Sequence, residues 1–148
     1  MPTAGVRRND PVPWTARPAM TRVAALLSWV LGLGFGLPCV YGIWYFADRG
    51  YVWTFMGFPT YGGGPFEDAG IETTVPLLAL FLLVCVAELV AGWLLWRRKR
   101  AGARLALVLL PFEFAFWIGF ALPLGPVLGL ARTGLVIFSL SPYSRAGA

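Results

Sequence analysis

Charge is swept to the joints of this sequence. Four apolar runs follow one another, at about 23–46, 74–96, 103–122 and 126–142, and charged residues gather almost wholly between them. Some 20 apolar residues, rising about 1.5 Å each, are what a helix needs to cross a hydrocarbon core about 30 Å thick. Composition agrees, with 58% hydrophobic and 13% charged residues and a mean hydropathy of +0.71. A soluble domain holds about 25% charged residues. The expected fold class is therefore all-α integral membrane: a four-transmembrane-helix bundle, multi-pass in the plasma membrane.

Orientation follows from the placement of the +5 net charge. Arg97, Arg98, Lys99, Arg100 and Arg104 crowd the short link between the second and third runs, with no acidic residue among them. An excess of Arg and Lys marks cytoplasmic loops. That link is expected inside, which puts the N and C termini in the cytoplasm as well. Residues 1–21, polar and punctuated by Pro2, Pro11, Pro13 and Pro18, read as a disordered tail, and 144–148 as a short second one. The run from Val23 is too long for the core of a signal peptide, so it reads as an uncleaved first helix. Nucleic acid is not an expected partner, because the basic residues sit at membrane boundaries; lipid is.

Small residues set the expected packing. Ser28, Gly32, Gly36 and Cys39 recur at spacings of three and four, and such a stripe lets a neighbouring helix approach closely. Gly92 plays this part in the second run, with Cys85 and Ala91, and Gly125 and Gly129 do so in the fourth. Pro38 should bend the first helix. Thr73 or Thr74 suits the N-cap of the second, with Pro76 in its first turn. Pro123-Leu124-Gly125-Pro126 reads as the tight turn between the last two.

The long loop, 47–73, carries Trp53, Phe55, Phe58 and Tyr61 among glycines and prolines. Such aromatics are too many for a solvated loop, so it should lie on the outer membrane surface or fold over the bundle. Its Gly62-Gly63-Gly64 lacks the Lys-Ser/Thr ending of a phosphate-binding loop.

Three ionisable residues interrupt the spans: Glu88, Glu113 and Arg132. Each costs about 2.5–3.5 kcal/mol at mid-bilayer on insertion scales, so each calls for a partner or a task. Counting helical rise puts Glu88 about 12 Å and Glu113 about 15 Å above the cytoplasmic boundary, and Arg132 about 10 Å below the outer one. Arg132 then stands about 5 Å above Glu113, and an Arg132–Glu113 pair is the foremost expected contact. Pro111 leaves the Leu107 carbonyl without its usual donor nearby. Two readings stay open. In one, the charges are a structural lock, with Glu88 protonated or bonded to backbone. In the other, Glu88 and Glu113 bind a proton or a cationic or polar ligand, tuned by Arg132.

The chain has no histidine, and Cys39 and Cys85 both fall in apolar runs, where small buried hydrophobes are expected. No catalytic residue, metal site or cofactor is indicated. Residues 76–116 resemble the DoxX-like family of small four-helix membrane proteins. The resemblance is carried by Glu88-Leu89-Val90-Ala91-Gly92, the basic turn Arg97 to Arg100, and Ala101, Ala103 and Ala106. It implies a four-helix bundle and a link to respiratory or redox-stress assemblies, with Glu88 and Gly92 the positions carried over. Three functions are carried forward. The chain is expected to be a small accessory or interaction protein that meets lipid, a membrane-protein partner or a second copy. The alternatives are a small oligomeric proton-coupled transporter using Glu88 and Glu113, and a subunit of a membrane redox system.

Overall fold

The computed structural model describes residues 18–140. Residues 1–17 of the expected tail 1–21, and the whole of the expected tail 144–148, lie outside the described residues. Four long helices dominate: α1 (Pro18–Arg49), α3 (Val75–Trp96), α4 (Arg100–Gly119) and α5 (Leu124–Leu140). Between α1 and α3 lie a two-stranded hairpin, β1 (Thr54–Phe55) and β2 (Phe58–Pro59), and one turn of helix, α2 (Pro65–Asp68). α1, α3 and α4 are each long and apolar enough to cross a membrane, while α5 is apolar and 17 residues long within the described residues.

The helices close into a ring. α1 packs on α3 and α5, and α4 packs on the same two from the other side. The α1–α3 seam is the most extensive, and the small-residue stripe explains it: Ser28, Gly32, Gly36 and Cys39 are all buried. A Cβ on Gly32 would stand 2.9 Å from the Cys85 carbonyl, and one on Gly92 2.7 Å from the Trp29 ring. Gly125 and Gly129 of α5 are likewise buried, and both lie against the Trp117 ring of α4.

Several boundaries differ from the sequence reading. α1 already includes residues 18–21, so helix extends into residues expected to belong to the tail. It runs on to Arg49, two residues past Ala47 where the loop was expected to begin. α4 begins at Arg100 and ends at Gly119, three residues ahead of expectation at each end. Arginines need not sit in a loop, because their long stems let a helical residue reach water. Leu124, Gly125 and Pro126 belong to the first turn of α5, so the turn itself is Phe120–Pro123. Ala121 takes the left-handed conformation there (φ 53°), and the Leu122 amide returns to the Trp117 carbonyl at 2.7 Å. Such a closure satisfies carbonyls orphaned at a helix end.

Around Tyr61 the long loop folds over the helices, one of the two dispositions expected of it. Tyr61 is its plug, 1% exposed, with its hydroxyl donating to the Phe35 carbonyl of α1 at 2.7 Å. The Tyr61 backbone is left-handed (φ 63°), a conformation that costs a bulky residue energy and is held by surrounding contacts. One such contact is Thr73, whose hydroxyl donates to the Tyr61 carbonyl at 2.8 Å. Beneath the plug, Phe81, Phe116 and Phe120 form an aromatic layer, with Phe81 and Phe116 ring centroids 5.1 Å apart.

Candidate functional site

A charge cluster joins the three helices α3, α4 and α5. Glu88 comes from α3, Glu113 from α4 and Arg132 from α5, and their side chains are 2%, 2% and 0% exposed. Each lies on the inward stripe of its helix: Glu88 with Cys85, Ala91 and Gly92, and Arg132 with Gly125, Gly129 and Val136. Small neighbours let the backbones come close enough for one arginine to serve three helices.

Arg132 and Glu113 meet as a fork on a fork. Nη1 donates to Oε1 at 3.0 Å and Nη2 to Oε2 at 2.8 Å, the two-point geometry that makes arginine–carboxylate pairs strong. Nη2 also donates to the Ala106 carbonyl at 3.2 Å. The acceptor is thus one residue before Leu107, the carbonyl that Pro111 deprives of its donor. Glu88 touches the same guanidinium as an ion pair, Oε1 against Nη1. Glu88 is therefore the second carboxylate held directly on one guanidinium. Arg132 Nε has no hydrogen-bond partner of its own.

Counting residues foresaw the Arg132–Glu113 pair and missed Glu88 as a second partner. The signal was available in side-chain direction. Helical side chains tilt toward their own N-terminus, and α3 and α4 are antiparallel. Glu88 therefore leans toward the loop end while Glu113 leans away from it, so the carboxylates converge. No backbone acceptor or donor takes Glu88, which replaces the expectation that it would bond to a helix backbone.

A small cavity adjoins the cluster, walled by Glu88, Glu113, Phe35, Phe81, Cys85 and Trp117. Its volume is ≈ 10 Å³, about the space one water requires. The two cysteines are free and buried, and the Cys39 thiol donates to the Leu78 carbonyl at 3.3 Å. They pack as the small hydrophobes expected. Among the described residues no group of three His, Cys, Asp or Glu could hold a metal ion.

The remaining singled-out residues lie at the far end. Arg97, Arg98, Lys99, Arg100 and Arg104 are all exposed around the α3–α4 turn. The Arg97 guanidinium lies over the Trp93 ring at 4.7 Å and that of Arg22 over Trp96 at 5.7 Å. Aromatic faces attract such cations, and tryptophans beside arginines are what a membrane boundary collects.

Fold and site together define a helical chain of membrane-spanning composition built around one interior knot of charge. No family model, no curated protein and no solved structure matches the chain.

Proposed function

We propose that the chain crosses the plasma membrane four times, with both ends cytoplasmic, as a small accessory or interaction protein whose charges lock its own helices together. One observation carries the reading. The three charges are spent on one another in an interior whose adjoining cavity has room for about one water, which leaves no room for a substrate. Four spans are supported by the closed ring, in which α5 packs on α1 and α4. Five exposed cations at the α3–α4 turn support the orientation. The surfaces left for partners and lipid are the apolar outer faces of the helices.

Complementation tests this directly. The triple variant Glu88→Leu, Glu113→Leu, Arg132→Leu replaces the knot by apolar packing, an exchange that buried ion clusters often tolerate. Expressed in a deletion strain with a measurable phenotype, it should insert normally and restore function. A variant that inserts and folds yet fails to complement would sink the reading.

The second reading, a proton-coupled carrier acting as an oligomer, is favoured by Glu88 alone. Two carboxylates face one guanidinium, so full ionisation leaves one negative charge in the cluster, which a single proton would cancel. Here Glu88→Gln should abolish pH-gradient-driven uptake in proteoliposomes while leaving the fold intact. Glu113→Gln should weaken the fold itself, since it removes the acceptor of two Arg132 hydrogen bonds.

A further inference from the structure

We propose that the β1–β2 hairpin is a membrane-inserting element: Phe55, Met56 and Phe58 dip into the boundary between headgroups and acyl chains beside α1.

The loop divides sharply by charge. From Gly50 to Phe66 it holds no charged residue, whereas Glu67, Asp68 and Glu72 follow within a few positions. The uncharged half forms the hairpin. Met56 and Gly57 both have positive φ (53° and 86°), the two-residue turn whose twist matches paired strands, and Phe55 stands opposite Phe58. Its apolar residues point outward: Phe55 is 58% exposed, Met56 83% and Phe58 76%. A hairpin tip meant for water would be polar, and a contiguous exposed apolar patch marks a surface with a partner.

Position identifies that partner as lipid. Trp53, just before β1, packs edge-on against Tyr41 of α1, ring centroids 4.9 Å apart, and lies 5.8 Å from Phe55. Tyr41 is eight residues before the end of α1, about 12 Å back along the helix axis. The hairpin therefore hangs down the flank of α1 rather than standing above it. On that flank Leu37, Val40, Tyr41 and Trp44 are exposed, part of the apolar face a spanning α1 turns to lipid. The tip extends this face sideways. Two strands have edges with unpaired amides and carbonyls, which hydrocarbon forbids and the hydrated headgroup zone satisfies. Depth is set by that balance, apolar side chains down and backbone in the interface.

The inference rests on the membrane reading above, and one preparation separates the two. Met56→Cys is made in the full chain, whose own thiols are buried, labelled with a nitroxide and reconstituted into phosphatidylcholine–phosphatidylglycerol vesicles; Asp68→Cys serves as the water-exposed reference. Oxygen, which concentrates in lipid, should relax the label at 56 severalfold more than a water-soluble nickel chelate does, with the reverse order at 68. Chelate access at 56 equal to that at 68 would overturn the proposal. So would low access to both reagents, which would mean that protein, a second copy included, covers the tip. Phe58→Cys repeats the test if Met56→Cys does not fold. Release of the chain from the vesicles by alkali would refute the membrane reading instead; retention with a wet label refutes only the hairpin's insertion.

Discussion

The two ends of the helix ring are packed on opposite principles. Toward the loop, the core is made of large rings: Tyr61, Phe81, Phe116, Trp117 and Phe120. Toward the basic turn it is made of small side chains, Ala24, Ala25, Ala91, Ala103 and Ala106, closed by Leu95, Leu109 and Val136. At the loop end rings fill the space between α3 and α4, whereas alanines bring their backbones nearly into contact. A Cβ on Gly102 would stand 2.7 Å from the Leu95 amide nitrogen. The charge knot lies where the regimes meet: Glu88 and Glu113 wall the same cavity as Phe81 and Trp117, while Arg132 reaches Ala106. The difference teaches which end tolerates change, since rings can be exchanged and a backbone contact cannot be widened.

The largest effect should come at the junction itself. Arg132→Leu strands two buried carboxylates and should cost about 3–5 kcal/mol, read as a loss of folded fraction in detergent unfolding. Adding Glu113→Leu should recover only part, because Glu88 remains unpaired, and the triple leucine variant should recover more. Equal damage in single, double and triple variants would show that the three do not act as a unit. At the alanine end, Ala91→Leu should cost about 1–3 kcal/mol by overpacking. The matching change at the aromatic end, Phe116→Leu, should cost less, under about 1.5 kcal/mol. If Phe116→Leu proved the more damaging, the contrast between the ends would be lost. The smallest effect is expected for Tyr61→Phe, which removes one hydrogen bond worth about 0.5–1.5 kcal/mol and leaves the ring in place. Burial pushes the Tyr61 hydroxyl well above the ordinary phenol range. It therefore stays a donor through neutral and moderately alkaline pH, and its contribution should not change as pH is raised from 6 to 9.

How much of this was legible depended on period and distance. The small residues at 28, 32, 36 and 39 announce a close helix contact because a helix repeats every 3.6 residues, and that seam is where α1 meets α3. Arg132 and Glu113 could be paired by counting along two helices joined by a short turn. Glu88 escaped the count because backbone height is not side-chain height. The loop's fold over the ring follows from one aromatic, Tyr61, finding a carbonyl 26 residues earlier, and no local pattern carries a contact at that range. The hairpin did leave a local trace, Met56-Gly57 between aromatic residues, short of the Asn-Gly or Asp-Gly that usually signals such a turn.

The single arginine on α5 also bears on how the molecule is made. A helix bearing an unpaired charge is a poor resident of hydrocarbon, and Arg132 finds both of its acidic partners on helices that precede it in the chain. If α5 crosses the membrane as proposed, Arg132 has no partner there until α3 and α4 stand side by side with Glu88 and Glu113 facing inward. Arrival of the last helix becomes a check on the earlier ones. On that reading, a chain whose α3–α4 hairpin had inserted wrongly would leave Arg132 without its two acidic partners.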